Sequence, residues 1–522
     1  MISSVIPLPL SSANASPASP EKHASGLPGT LEDYFTPYRN NIIGIDQKIK
    51  THYGKNIPLF YADWTASGRN YRPIEDRIQQ EIMPWMANTH TETSTAGTVM
   101  SHAYRTARSI IKKHVNARPN DVLITCGSGT TEGINKLQRI MGLKIHPHLQ
   151  SKLRLKSASR PVVFVTHMEH HSNHISWLET IADVVIIRPT ADGLVDLDHL
   201  QQLLYEYRSR PQKIAAITAC SNVTGICVPY QEIARRMHQA QGYCLVDFAA
   251  AAPYLNIDMH PANEDERLDA IYFSPHKFLG GPGSAGVLVF NKMLGQSPVP
   301  DHPGGGTVNF TSPWEERMYV EDIEEREDGG TPAILQTIKA ALSAQLKDAM
   351  GVKNIQKREQ EQLALLWPRL ARINHLCLLA SEHSQRLGII AFTIKDLSYT
   401  TGVRMLNDRF GIQTRGGCSC AGTYGHYLLN ISREKSTEIS KAIRTGYLKA
   451  RPGWIRLSLH PTMTNREIIY LADCIEALAD HHQDWIQDYQ LNPLTGTLRH
   501  RFTDTEAPLR RQINACFTNP FT

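Results

Sequence analysis

Tyr272-Phe273-Ser274-Pro275-His276-Lys277-Phe278-Leu279-Gly280-Gly281-Pro282-Gly283 sets a lysine at the end of an apolar, strand-forming run, beside a histidine and before a glycine turn. An amine so placed can form a Schiff base with an aldehyde. Ser274 and His276 can donate hydrogen bonds to a phosphate. A lysine anchor with phosphate donors beside it is what pyridoxal 5'-phosphate requires. Taken alone, the same lysine is an ordinary solvated charge after a strand, so the reading depends on what the rest of the chain supplies.

Upstream of this stretch, short β-branched runs alternate with helical patterns. Strands are expected at 121–126, 161–166, 183–188, 213–219, 243–248, 269–273 and 286–290, with amphipathic segments such as 197–208 and 230–240 between them. That alternation predicts an α/β domain with a mostly parallel, doubly wound sheet, whose ligands bind at the carboxyl ends of the strands. From about Pro332 the texture changes. Helices are expected at 333–350, 353–373 and 465–479, and strands at 388–395, 412–415 and 454–459, which reads as a smaller α+β domain. The expected division is a disordered leader over 1–40, rich in Ser, Pro and Ala, then a large domain over 41–335. A small domain over 336–484 and a weakly patterned tail over 485–522 follow.

The bulk properties exclude several classes. With 55 basic and 50 acidic residues the net charge is +5, small for 522 residues, which argues against nucleic-acid binding. No apolar run reaches the ~20 residues that span a bilayer, so no membrane partner is expected. The nine cysteines are scattered apart from Cys418-Ser419-Cys420, which suggests a reducing, cytoplasmic setting. The run 6–10 is too short and proline-broken for a signal-peptide core, and residues 1–33 hold no Arg to support a transit peptide. The segment 144–160 holds five Lys/Arg and no acids, and reads as a solvated loop.

Further motifs fall just after expected strands. Ser128-Gly129-Thr130-Thr131-Glu132-Gly133 can hold an anion at a helix start, with Thr131 and the Thr130 backbone as ligands, or can simply cap that helix. Asp247 ends an apolar strand, where a carboxylate needs a cationic partner such as a pyridinium nitrogen, or else caps the next turn. Glu169-His170-His171-Ser172-Asn173-His174 offers an imidazole to stack on a cofactor ring. Its histidines also invite a metal, although no acidic or cysteine ligand completes a known spacing, and no metal is expected. Asn222, in Ser221-Asn222-Val223-Thr224-Gly225, can donate to a cofactor oxygen or a substrate carboxylate, or serve only its turn. In Arg415-Gly416-Gly417-Cys418-Ser419-Cys420 the arginine can grip a carboxylate and a thiol can act as nucleophile. A zinc half-site from Cys418, Cys420 and His426 is a weaker option.

As a set, these motifs resemble the class V aminotransferase family of fold type I pyridoxal-phosphate enzymes, and most of all its cysteine desulfurase branch. The resemblance runs from about Ile42 to Leu478 and includes Tyr61-Ala62-Asp63-Trp64-Thr65-Ala66-Ser67-Gly68 and Gly453-Trp454-Ile455-Arg456-Leu457-Ser458. It implies a catalytic set of Lys277, Cys420 and His170, with Lys277 as Schiff-base lysine and proton shuttle. It also implies that His170 stacks on the ring, that Asp247 pairs with the pyridine nitrogen, and that Thr130, Thr131, Ser274 and His276 hold the phosphate. Thr331 matches a threonine that completes the phosphate site from the partner subunit, which implies a homodimer. Asn222 and Arg415 would orient an amino-acid substrate. The implied reaction converts L-cysteine to L-alanine through a Lys277 aldimine and a cysteine persulfide, with a sulfur-acceptor protein as partner. Cys420 lies five residues after Arg415, as the nucleophile does in the shorter-loop desulfurases. The additional Cys418 gives a pattern similar to molybdenum-cofactor sulfurases. Ala250 departs from the desulfurases, which usually carry Gln there, and the segment 88–93 is also unlike the usual desulfurase sequence. Transamination, racemisation, β-elimination and a low-turnover persulfide relay are the alternatives.

Overall fold

The computed structural model describes residues 29–518 apart from 90–92, 151, 154, 493–497 and 502–503. Most of the expected leader, and His90, Thr91 and Glu92 of the atypical 88–93 segment, lie outside the described residues. The main sheet has seven strands: β1 (Asp121–Cys126), β2 (Val162–Thr166), β3 (Asp183–Ile187), β4 (Lys213–Thr218), β5 (Tyr243–Asp247), β6 (Ala270–Phe273) and β7 (Gly286–Asn291). Their order is β1-β7-β6-β5-β4-β2-β3. β7 is antiparallel to both of its neighbours, and every other pairing is parallel.

The near-continuous apolar strands follow from burial on both faces. Every residue of β2 and β4 is buried. Side chains alternate between faces with period two, so Val162 and Phe164 pack into one core while Val163 and Val165 pack into a second. Helices α1 (Thr95–His114), α2 (Thr130–Ile140), α3 (His171–Leu178), α4 (Leu197–Glu206), α5 (Tyr230–Gln239) and α6 (Ile334–Met350) accompany this sheet in the chain.

A four-stranded antiparallel sheet follows: β8 (Leu376–Leu378), β9 (Ile389–Ile394), β10 (Arg415–Gly417) and β11 (Trp454–Ser458), in the order β8-β9-β11-β10. Helices α7 (Val352–Leu370), α8 (Tyr399–Phe410) and α9 (Asn465–Trp485) belong to this part of the chain. The single strand expected at 412–415 is in fact two. Ile412–Gln413 pairs in parallel with Phe60–Tyr61, whereas Arg415–Gly417 pairs with Trp454–Arg456. The chain changes partner at Thr414, and this switch brings the Tyr61–Asp63 segment to the small sheet.

Both ends are more structured than expected. Helix Leu31–Asn40 starts with a Thr30/Asp33 capping box, buries Phe35 and pairs Arg39 with Glu467. Its short apolar face was masked by the Ser/Pro-rich sequence before it. After α9, Tyr489–Leu491 pairs with Leu498–His500, and the His500 ring stacks on His52 with centroids 4.0 Å apart. Strands this short carry too few residues to display a period.

One buried acid makes stability depend on pH. Glu359 on α7 is 1% exposed, and its Oε1 accepts the Gly388 N–H at 3.0 Å. Burial pushes its carboxyl up from 4.5 to about 8. The folded chain therefore keeps this proton where the unfolded chain has released it, and the resulting stability is lost as pH rises from 4.5 towards 8. Glu359→Gln keeps the acceptor and never ionises. Its stability relative to wild type is expected to rise by about 3 kcal/mol between pH 5 and 7.5, read as a growing difference in unfolding midpoint. A difference that does not change with pH would refute the neutral, buried carboxyl.

Candidate active site

The carboxyl ends of β2, β4, β5 and β6 converge on a cavity of about 570 Å³. Lys277 reaches it from the single turn Pro275–Lys277 that follows β6. Burial lowers its amine from 10.5 to about 8, and the nearby Asp247 opposes that shift. Asp247, the last residue of β5, is 3% exposed, and its Oδ1 accepts the Ala249 N–H at 2.8 Å. Burial raises its carboxyl, with Lys277 pulling the other way. A buried carboxylate and a buried amine thus face one cavity and stabilise each other's charged forms.

His170 caps the N-terminus of α3, its Nδ1 accepting the Ser172 N–H at 3.1 Å. That bond leaves the neutral ring's proton on Nε2. Burial, then the Lys277 charge, holds the imidazole down at about 3. Its neighbour Glu169 is fully buried and has no place among the expected site residues, yet it fixes this corner. It accepts the N–H and hydroxyl of Thr166 at 3.2 and 2.6 Å, the Thr218 N–H at 3.0 Å and the Asn173 amide at 2.7 Å. The ends of β2 and β4 are thereby tied to the start of α3.

The opposite end is built for an anion. Gly129 precedes the eleven residues of α2. A Cβ on Gly129 would lie 2.9 Å from Ser274 Oγ and 3.0 Å from His276 Cε1, so only glycine fits there. Ser274 Oγ accepts the Thr130 N–H at 3.0 Å, His276 Nδ1 lies 2.7 Å from the Ser128 carbonyl, and the Thr131 and Ser172 hydroxyls are 2.7 Å apart. Hydroxyls, a ring nitrogen and helix N–H groups at one end, Lys277 in the middle and Asp247 beyond form a donor set that fits pyridoxal phosphate. Thr331 is exposed, lies outside the lining of its own chain's cavity, and has Asn88 Nδ2 at 3.4 Å from its Oγ1.

The third wall comes from the small sheet. Arg456, in the middle of β11, is 3% exposed. Its guanidinium donates to Asp63 Oδ1 at 2.8 Å and to the Asn222 carbonyl at 2.9 Å. Arg415 Nε donates to the other Asp63 oxygen at 2.9 Å. One carboxylate therefore aligns two guanidiniums on the cavity. Sequence reading placed Arg415 and Asn222 here but missed Arg456 and Asp63. The available signal was a charged residue inside the otherwise apolar run Trp454–Leu457.

Cys420 lines the cavity, whereas Cys418 does not. Ser419 and Cys420 both adopt left-handed backbone, φ 50° and 56°. Asn222 Nδ2 donates to the Ser419 carbonyl at 2.7 Å and His171 N–H to the Cys420 carbonyl at 2.7 Å. These bonds hold a conformation that costs a non-glycine residue about 1 kcal/mol or more. The Asn222 Oδ1 is buried without a protein partner. Both ring nitrogens of His426 are engaged, by the Gly422 carbonyl and the Ser436 hydroxyl, which leaves it unsuited to the zinc option. Among the described residues no three His, Cys, Asp or Glu side chains gather as metal ligands.

The family model Aminotransferase class-V matches residues 60–471. The chain is 28% identical over 381 residues to a probable cysteine desulfurase of Staphylococcus aureus (strain Mu50), covering 72% of this chain and 85% of that protein. It is 27% identical over 372 residues to a probable cysteine desulfurase of Halalkalibacterium halodurans, covering 70% and 84%. Among solved structures, the cysteine desulfurase CsdA of Escherichia coli superposes with a TM-score of 0.66 at 21% identity, over 85% of this chain and 98% of that one. The apo cysteine desulfurase of Thermococcus onnurineus NA1 gives 0.65 at 19%, over 81% and 95%. These likenesses establish the fold as that of the structures named.

Proposed function

We propose that this enzyme, which belongs to the aminotransferase class-V family, removes the sulfur of L-cysteine, releasing L-alanine and leaving a persulfide on Cys420. The observation that carries the proposal is that Cys420 lines the same cavity as Lys277, Asp247 and the paired arginines. Two relatives bearing the desulfurase name, and the matching fold, support it.

Bound in this cavity, pyridoxal phosphate would supply an electron sink joined to the substrate amino group. Lys277 would anchor it, Asp247 would pair with its ring nitrogen, and His170 would cover its face. Thr130, Thr131, Ser274 and His276 would hold its phosphate. Arg415 and Arg456, aligned by Asp63, would bind the substrate carboxylate. Lys277, an amine held near neutrality, then moves the proton at the substrate α-carbon. Cys420 Sγ attacks the substrate sulfur. The carbon–sulfur bond breaks, its electron pair stays with carbon, a proton joins that carbon, and a sulfur–sulfur bond forms on Cys420.

The proposal extends to a homodimer in which Thr331 of the partner subunit completes the phosphate site, and to a cytoplasmic setting. None of the nine cysteines is in a disulfide, and no described helix is long and apolar enough to cross a membrane. Ala250, 4% exposed on the cavity wall, favours a second reading. The glutamine usual in desulfurases is missing there, and transamination or β-elimination does not need a thiol at Cys420. Assaying the cofactor-loaded enzyme with L-cysteine and a reductant separates the two. Equal alanine and sulfide supports sulfur transfer. Pyruvate with sulfide, or keto acid from other amino acids, overturns it.

A further inference from the structure

We infer that Cys220 and Cys227 are a redox pair, which hydrogen peroxide joins into a disulfide across the neck of the turn that carries Asn222. After β4 the chain turns through residues 221–225 and comes back alongside itself, with Cys220 opposite Cys227 in an antiparallel bridge. Ser221 N–H donates to the Ile226 carbonyl at 2.9 Å, and Val228 N–H donates to the Ala219 carbonyl at 3.0 Å. These bonds flank the two cysteines rather than join them. The cysteines are therefore a non-hydrogen-bonded pair, with side chains on one face and Cα atoms about 4.5 Å apart. A disulfide accepts Cα separations from about 4.4 Å upward.

The two thiols are unequal. Cys227 reaches the surface, whereas Cys220 is 1% exposed. An oxidant meets Cys227 first, and Cys220 stands behind it as the resolving thiol. The Cys227 Sγ turns inward, 3.9 Å from the Gly225 carbonyl, and burial pushes this thiol up to about 11. Burial also raises Cys220 well above the ordinary thiol value, and the Cys227 thiol is the next contributor, as two sulfurs on one face require. Glu359 raises both thiols further, while Lys277 lowers Cys220 and Asp247 raises it. Thiolate is the attacking form, so the pair reacts slowly near neutrality and faster as pH rises. The Cys227 sulfur attacks the peroxide, the oxygen–oxygen bond breaks, and a sulfenic acid and one water form. The Cys220 sulfur then attacks the sulfenic sulfur, the sulfur–oxygen bond breaks, and a second water leaves. Two thiols are oxidised to one disulfide and one peroxide is reduced to two waters.

The bridge would act on the site through Asn222. The tip of the turn is pinned to the small domain: Leu387 N–H donates to the Gly225 carbonyl at 3.0 Å and Arg386 Nη1 to the Thr224 carbonyl at 3.1 Å. Cross-strand Cβ atoms lie about 4.5–5.5 Å apart and those of a disulfide about 3.5–4.5 Å, so closure draws the neck in by roughly 1 Å. With the tip fixed, the shift falls on Ser221 and Asn222. Asn222 Nδ2 holds the Ser419 carbonyl at 2.7 Å and its own carbonyl accepts from Arg456 at 2.9 Å, so the disulfide strains the grip on both the Cys420 loop and the arginine.

The test treats the full-length, cofactor-loaded enzyme with hydrogen peroxide at alkaline pH, then alkylates under denaturing conditions and digests with trypsin. Residues 214–235, which follow Lys213 and end at Arg235, form one peptide carrying both thiols. That peptide is expected to lose two hydrogens and both alkylation sites before the buried Cys244 and Cys474 lose theirs, and to regain them with dithiothreitol. In Cys227→Ser the Cys220 thiol should stay alkylatable. Cys227 recovered as a sulfinic acid beside a free Cys220, or joined to a cysteine of another peptide, overturns the pair. The effect on the site is read in Cys420→Ser, where that thiol cannot be the target, by titrating L-alanine against the visible absorbance of the cofactor. Oxidation is expected to weaken alanine at least about three-fold, the loss of one hydrogen bond, and Cys227→Ser in the same background should abolish the change. A bridge that leaves alanine affinity unchanged refutes its action through Asn222. This second readout rests on the amino-acid site proposed above. Alanine that fails to bind the reduced enzyme refutes that site, and the peptide alone then decides the pair.

Discussion

Lys277→Ala is expected to lower turnover of any amino acid by at least about 10³-fold, because on the proposed function it removes the covalent anchor and the proton carrier together. The wild-type enzyme loaded with pyridoxal phosphate should give, after borohydride reduction, a labelled peptide containing Lys277. The variant should give none while still unfolding at a similar temperature. A labelled peptide from any other lysine would overturn the assignment. The chain provides its own control against choosing a lysine by its acidity alone. Lys347 on α6 is also fully buried, and burial lowers its amine further, to about 7. Its Nζ donates to the Leu255 carbonyl at 2.5 Å and sits 5.6 Å from the Phe278 ring centroid. It lines no part of the main cavity and faces no phosphate cradle. What sets Lys277 apart is the company of Asp247, His170, Ser274 and His276, not its lowered pKa.

The large sheet was legible because its strands are buried on both faces, and such strands must be written as short β-branched runs between turns. Six of the seven expected strands differ from the observed ones by a residue or so at an end, where a carbonyl or capping residue decides the boundary. Strand order was not legible, since parallel neighbours are joined through helices that erase the trace of adjacency. The same distinction divides the site. Thr131, His170, Asn222, Asp247 and Lys277 were readable because each follows an apolar run and sits at a strand's carboxyl end. Asp63 and Arg456 are 393 residues apart in sequence, and their ion pair exists only because the chain switches strand partner at Thr414. Glu169 was visible within its motif, but its four hydrogen bonds to two strand ends and a helix are a property of the assembled sheet. The leader was misread between Leu31 and Asn40 because composition averaged over the first residues conceals a helix anchored by one buried phenylalanine and one distant ion pair.

Cys420→Ser should reduce sulfide formation from L-cysteine by at least about 10²-fold, whereas Cys418→Ser should stay within a few-fold of wild type. The reason is the shape of the loop. With Ser419 and Cys420 both left-handed, the chain curls so that Cys420 meets the cavity while Cys418 packs partly buried beside the core. Asn222 and His171 fasten the two carbonyls of that curl, so exchanging the two thiols' places would break both bonds. Serine preserves the loop and the cofactor's visible absorbance, and removes only the polarisable nucleophile that can accept sulfur. If Cys418→Ser is the inactive variant, the loop must reorganise during turnover and the bonds from Asn222 and His171 belong to a resting form. If neither substitution affects sulfide release, sulfur leaves without resting on a thiol, pyruvate should accompany it, and Ala250 on the cavity wall becomes the residue that redirects the chemistry towards elimination.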